Sequence, residues 1–145
     1  MPTRQEFKNL SLLRLKEAQI LAKKQCYDGA CYLAGYTLEL ALKAAICKNM
    51  KTDNFFDIIK VETSRAFKIH NLEELITLAG LREQFELLKR SNADFQSNWF
   101  SLTIEVQWSE QLRYQMDKTE QQTQSMLNAI SDNQNGLLKW IKKHW

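Results

Sequence analysis

The chain has 145 residues, close to the size of one domain, and 44% of them are hydrophobic, which excludes an intrinsically disordered protein. Its net charge of +3 is only mildly basic and does not by itself indicate a nucleic-acid-binding protein. With four glycines and one proline, the sequence predicts few tight turns and a handful of long helices. We therefore expect a single all-α domain that spans residues 1–145.

The cysteines and histidines give no sign of a disulfide framework or a metal centre. Cys26, Cys31 and Cys47 form no CxxC pair and lie among apolar residues, which predicts buried reduced thiols and a cytoplasmic protein. His70 and His144 are the two histidines, so no closely spaced Cys/His set suggests a metal site, and no cofactor is expected. The sequence also predicts neither a membrane span nor a signal peptide.

The first half of the chain predicts two long helices. Thr3 and Glu6 form a capping-box pattern, which predicts a helix from residue 4 to about 25. Asp28 is expected to cap a second helix over 29–50. This segment is apolar nearly all round, as is typical of the central helix of a bundle, and its glycine at position 35 predicts close packing by a neighbouring element.

The second half predicts shorter elements. In chain order they are a short helix at 55–59, a loop at 60–69, helices at 72–79 and 81–90, and a turn at 91–98. Residues 99–116 alternate like a strand, but a lone strand would have no partner, so a helix is predicted. Asp117 or Thr119 is expected to cap a last helix over 119–144. Taken together, the predicted helices indicate an antiparallel, up-and-down bundle of four or five helices.

Two charge patterns have alternative interpretations. Glu39 and Lys43 are spaced i, i+4 on the second helix, which is typical of an ordinary intrahelical ion pair but also suits a binding site. Lys139, Lys142 and Lys143 fall at the end of the last predicted helix. There they would complement the helix dipole, and the alternative is a phosphate-binding patch.

Three stretches carry a resemblance to a known family. The run from Tyr27 to Ala44 reads YDGACYLAGYTLELALKA, and it is followed by HNLEELI at 70–76 and WSEQLRY at 108–114. The first closely resembles the signature helix of HEPN domains, the second their His-x-Leu helix start and the third their late Trp…Arg-Tyr element. The resemblance covers roughly residues 5–145. It implies a helical bundle that usually forms a homodimer and often accompanies a minimal nucleotidyltransferase in toxin–antitoxin or defence pairs.

Two branches of that family lead to two functional hypotheses. One branch consists of metal-independent ribonucleases with an Arg-x(4–6)-His motif, and Arg65 and His70 have that spacing. In such an enzyme the imidazole moves the 2′-hydroxyl proton and the guanidinium holds the phosphate. The other branch binds nucleotides, RNA or protein without cleavage. Because His70 falls on the early His-x-Leu element, where it can also simply cap or pack at a helix start, a binding module is the leading hypothesis and the ribonuclease its alternative.

The resemblance also suggests where a ligand would bind. Glu39, Lys43, Arg113 and Tyr114 are expected to contact it in a cleft of the bundle, since arginine and aromatic side chains together suit nucleotides. In the alternative, Trp108 belongs to the core and Arg113 pairs with a buried carboxylate such as Glu39. The expected partners are a second copy of the chain, a nucleotidyltransferase, and a nucleotide or RNA, but no membrane.

Overall fold

The computed structural model describes residues 2–53 and 68–145, and these residues form seven α-helices and no strand. The helices are α1 (Arg4–Lys23), α2 (Tyr27–Asn49), α3 (Leu72–Leu78), α4 (Arg82–Ser91), α5 (Ala93–Phe100), α6 (Glu120–Ser131) and α7 (Leu137–Lys142). A π-helical turn, Ser101–Glu105, continues α5, and a 3-10 turn, Glu110–Tyr114, precedes α6. The prediction of an all-α chain is confirmed for this part of the molecule.

Helix α2 lies at the centre of the fold. Helices α1, α3, α6 and α7 and the 3-10 turn all pack against it, as its all-round apolar sequence predicts. Its many alanines, such as Ala34 and Ala41, are completely buried and let the neighbouring helices approach closely. The hydroxyl of Ser11 on α1 donates a 2.7 Å hydrogen bond to the carbonyl of Thr37, which fixes α1 along α2.

By length and composition, α2 is also apolar enough to cross a membrane, contrary to the expectation from the sequence. However, 72% of its most apolar window is buried inside the fold. That burial is typical of the core helix of a soluble protein, in which the other helices take the place of lipid.

A second part of the core consists of aromatic side chains from α4, α5 and α7. The Phe85 ring packs edge to face on Trp99, with 4.7 Å between ring centres, and it also contacts Phe95 and Trp140. Phe95 and Trp99 are four residues apart and therefore lie on one face of α5. This cluster joins the second half of the chain into one unit.

The predicted helix starts and turns were partly wrong. Asp28 does not cap α2, which begins at Tyr27, because its Oδ1 accepts a 3.1 Å hydrogen bond from the backbone N–H of Lys118. The predicted turn at 91–98 is helix α5 instead. Its polar sequence provides the cap, since Asn92 Oδ1 accepts a 3.0 Å hydrogen bond from the backbone N–H of Phe95.

The predicted helices at 99–116 and 119–144 are each interrupted. The first leaves helical geometry at Gln107, whose φ of 53° is left-handed. The second begins as predicted with Thr119 in a capping box but ends at Ser131. It is broken because Asp132 Oδ2 accepts a 2.7 Å hydrogen bond from the backbone N–H of Asn135. The predicted helix at 55–59, and the predicted loop up to residue 67, lie outside the described residues.

Candidate functional site

A buried carboxylate on α2 is the centre of the candidate site. The Glu39 side chain is only 2% exposed, and a charge removed from water in this way requires partners. Lys43, one turn further along α2, places its Nζ 2.6 Å from Glu39 Oε1. The Nδ1 atom of His70 lies 3.1 Å and 3.0 Å from the two carboxylate oxygens. The ion pair predicted from the i, i+4 spacing is therefore present, with a histidine as a third member.

His70 packs on Glu39 and does not cap a helix. The N-cap of α3 is the next residue, Asn71, whose Oδ1 accepts a 3.1 Å hydrogen bond from the backbone N–H of Glu74. With Nδ1 facing the carboxylate, the imidazole has its Nε2 atom left for other contacts. The His70 side chain is 33% exposed and forms part of a cavity wall, so the imidazole is accessible to solvent.

Aromatic rings surround this charged group. Tyr36 lies one turn before Glu39 on α2 and contacts the His70 ring edge to face, with 6.1 Å between ring centres. It makes similar contacts with Tyr32 at 5.0 Å and Trp108 at 5.7 Å. Burial, then the Tyr32 hydrogen bond and the Glu39 charge, raise the pKa of Tyr36 well above its ordinary value. Tyr36 is therefore a neutral phenol at any physiological pH.

Trp108 is held in place by the backbone of α2. Its Nε1–H donates a 3.1 Å hydrogen bond to the carbonyl of Tyr32. Its indole also occupies the space beside Gly35, where an added Cβ would lie 1.8 Å from Cε2. The predicted packing role of Gly35 is thus to seat this ring. The left-handed residue Gln107 turns the chain immediately before the tryptophan.

A cavity of about 270 Å³ opens between the start of α3 and the segment that follows Trp108. Its walls are formed by His70, Asn71, Leu72, Glu73, Trp99, Leu102, Thr103, Trp108, Ser109 and Glu110. Apart from His70, the charged residues of these walls are carboxylates. The pKa of Glu110 is lowered by a hydrogen bond from its own backbone and one from the Gln111 amide, and by the charges of His70 and Arg113. Glu110 is therefore an ionised acceptor at neutral pH.

The predicted site residues are only partly brought together. Arg113 does not pair with Glu39, because Lys43 and His70 already satisfy that carboxylate. The Arg113 guanidinium instead lies 5.3 Å from the centre of the Tyr114 ring. Both residues are exposed, and they lie beside the cavity and not in its walls. Arg65, the other half of the ribonuclease motif, lies outside the described residues.

No protein-family model, no curated protein and no solved structure matches the chain. Within residues 2–53 and 68–145, no three histidine, cysteine, aspartate or glutamate side chains are grouped as they would be around a metal ion. The geometry around Glu39 and the cavity beside it are therefore the basis on which a function is inferred.

The sequence did not single out several of the cavity residues. Trp99 and Thr103 were missed because residues before them were assigned to a turn, whereas the structure continues α5 into the π-helical turn. Ser109 and Glu110 belong to the Trp…Arg-Tyr element, but only its last two residues were expected to bind. One local signal was available, because serine is a common N-cap residue. Ser109 caps the 3-10 turn and thereby fixes the backbone of the residues that follow it.

Proposed function

We propose that this chain is a cytoplasmic HEPN-type protein, an antiparallel up-and-down bundle of four or five main helices in one domain, that binds nucleotides without cleaving them. In this proposal it forms a homodimer and is the companion of a minimal nucleotidyltransferase in a toxin–antitoxin or defence-type pair. The resemblance of α2 to the HEPN signature helix supports the family. The cavity between His70 and Glu110 is the single observation that supports ligand binding.

The chemistry of the cavity suits a nucleobase. The partly buried Trp108 indole provides a flat apolar wall on which a base can lie, and the buried Trp99 closes the cavity behind it. The ionised Glu110 accepts hydrogen bonds, and amino and imino groups at the edge of a base donate them. At about 270 Å³ the cavity is slightly smaller than the usual site for a drug-sized ligand, which suits a base or nucleoside.

The phosphate of such a nucleotide would lie outside the cavity. Glu73 and Glu110 in the walls would repel it. Arg113 is exposed beside the cavity, close enough that its charge influences both Glu110 and Tyr36. A guanidinium in that position can bind a phosphate in a bidentate manner, with the base directed inward.

The alternative function is a metal-independent ribonuclease, and the Glu39–His70 pair favours it. A carboxylate that holds one ring nitrogen of a histidine orients the other nitrogen for proton transfer, as in the catalytic triads of hydrolases. In this hypothesis Nε2 of His70 accepts the 2′-hydroxyl proton and Arg65 binds the scissile phosphate.

Calorimetric titration with mononucleotides tests the binding proposal. We expect saturable binding of at least one nucleotide, weakened about tenfold or more in Glu110→Gln, which removes a charge-assisted hydrogen bond. Glu105→Gln is the matched control, because this exposed glutamate lies outside the cavity. Arg113→Ala should also weaken binding, and Arg90→Ala should not. If no mononucleotide binds, or if both glutamate variants bind equally well, the proposal is wrong.

Incubation of the purified protein with RNA in the presence of a chelator tests the ribonuclease. The binding proposal predicts that the RNA stays intact. Cleavage by the parent chain that disappears in His70→Ala and persists in His144→Ala would instead establish the alternative. The second histidine is the appropriate control because its ring packs on Trp140.

A further inference from the structure

Five basic residues lie near one another at one end of the fold, here named the basic end: Arg4, Lys8, Lys48, Lys142 and Lys143. Trp145 lies among them. The Nζ atoms of Lys8 and Lys142 lie 5.6 Å and 5.7 Å from the centre of its ring. Arg4 Nη2 donates a 2.8 Å hydrogen bond to the Trp145 carbonyl.

Within the described part of the chain, no aspartate or glutamate side chain forms an ion pair with any of these five cations. The ion pairs of the described residues involve other basic side chains, such as Arg14 and Arg82. Burial and the nearby charges of Arg4 and Lys48 lower the pKa of Lys8. Like charges held together destabilise a protein unless something offsets them. The Trp145 ring does so in part, because its face attracts two of the ammonium groups.

Helix dipoles account for three of these five cations but not for the two on α1. Lys48 lies in the last turn of α2, where a cation is favoured. Lys142 and Lys143 lie at the C-terminal end of α7, where a cation is favoured. In contrast, Arg4 is the first residue of α1, and Lys8 lies in its second turn. A positive charge at the N-terminal end of a helix is opposed by the dipole. The helix dipole therefore does not explain why the two cations of α1 lie at this end of the fold.

The basic end is separate from the cavity. Glu39 and Lys48 are nine residues apart on α2, which is a rise of about 13 Å and about two and a half turns of helix. Lys48 consequently faces the opposite side of α2 from Glu39. A ligand at the basic end thus meets a different set of side chains, and the inference drawn from it does not rest on the proposed function.

We propose that the basic end binds the phosphate backbone of a single-stranded nucleic acid. A small anion requires one or two cations, whereas five cations across three helices match a ligand with repeated negative charges. A positively charged surface with an aromatic ring on which a base can stack is typical of single-strand binding. Trp145 is partly buried against the core, which limits how deeply it can insert into a lipid bilayer.

Fluorescence anisotropy with a labelled oligouridine of about twelve nucleotides, measured over a range of salt concentrations, tests this proposal. Lys8→Gln/Lys48→Gln removes two cations of the basic end. Lys23→Gln/Lys24→Gln is the matched control, because these exposed lysines lie at the other end of α1, about 22 Å from Lys8. Each lost phosphate contact makes the slope of log K against log salt shallower by about 0.7. For Lys8→Gln/Lys48→Gln we therefore expect the slope to become shallower by about 1.4. Binding of the oligouridine at 0.1 M salt should be about 25-fold weaker than for the parent chain.

Each other outcome overturns the proposal. These outcomes are no binding of oligouridine or oligothymidine by the parent chain at low salt, an equal loss in both lysine pairs, or binding of phosphatidylserine vesicles in place of oligonucleotides. Lys142→Gln/Lys143→Gln repeats the test on α7, and circular dichroism shows whether each variant is folded. If Glu110→Gln abolishes oligonucleotide binding and Lys8→Gln/Lys48→Gln does not, the strand binds at the cavity, and the proposed function stands without this inference.

Discussion

Replacement of Gly35 by alanine perturbs the contact on which the cavity wall depends. The new Cβ would lie 1.8–2.2 Å from three atoms of the Trp108 indole, far inside van der Waals contact. The backbone of α2 cannot retreat, because this helix is packed on all sides. The indole must therefore move, and the hydrogen bond from its Nε1 to the Tyr32 carbonyl is lost or lengthened.

The expected cost follows from three terms. Overpacking in a core costs about 1–3 kcal/mol. Loss of the indole hydrogen bond adds about 1 kcal/mol, and the higher helix propensity of alanine returns about 1 kcal/mol. We expect Gly35→Ala to lower the free energy of unfolding by about 1–3 kcal/mol. Gly29→Ala on the same helix is the control, because its Cβ would meet only the flexible end of Leu21 at 3.3 Å. That variant should be neutral or stabilised by up to about 1 kcal/mol.

Urea unfolding followed by circular dichroism measures both variants. Two further variants, Trp108→Leu and Gly35→Ala/Trp108→Leu, complete a double-mutant cycle. Because the smaller leucine leaves room for the new Cβ, the double variant should cost clearly less than the sum of the single changes. If Gly35→Ala unfolds at the same urea concentration as the parent, or if the two changes are additive, Trp108 is not seated against α2 as described.

Two further predictions concern buried polar groups. Glu39→Gln removes the charge partner of Lys43, a lysine whose side chain is 11% exposed. This change should lower the free energy of unfolding by about 3 kcal/mol. Glu73→Gln, in an exposed ion pair, should change it by less than about 0.5 kcal/mol. Equal effects of these two changes would contradict a buried ion pair. Burial raises the pKa of the Cys31 thiol, so iodoacetamide at pH 8 should modify exposed Cys26 in the folded protein and reach Cys31 only after unfolding, as mass spectrometry can show.

The long elements could be predicted from sequence because each carries its own local signals. The capping boxes at Thr3 and Thr119 lie where the helices begin, and Gly80, with a left-handed φ of 73°, follows the end of α3. The central position of α2 followed from its apolar sequence alone. These features depend on residues that are close together in the chain, so no knowledge of tertiary contacts was needed.

Features that depend on contacts between distant residues were missed or only partly predicted. Asp28 was expected to cap its own helix, but its partner is Lys118, 90 positions away. Pairing of Arg113 with Glu39 was one of two alternatives, and the sequence could not show that His70 contacts this carboxylate instead. The break after Ser131, in contrast, is local: Asp132 Oδ2 accepts a hydrogen bond from the Asn135 N–H, and an added Cβ on Gly136 would lie 2.3 Å from the Asp132 carbonyl.

The position of Trp108 gives the cavity a built-in optical probe. Two of the four indoles, Trp99 and Trp108, form its walls, while Trp140 and Trp145 lie elsewhere. A base that stacks on an indole quenches its emission, so occupancy of the cavity can be followed in the unmodified protein. Replacement of Trp140 and Trp145 by phenylalanine would leave only the two wall residues as sources of tryptophan fluorescence. A ligand at the basic end would then cause no quenching.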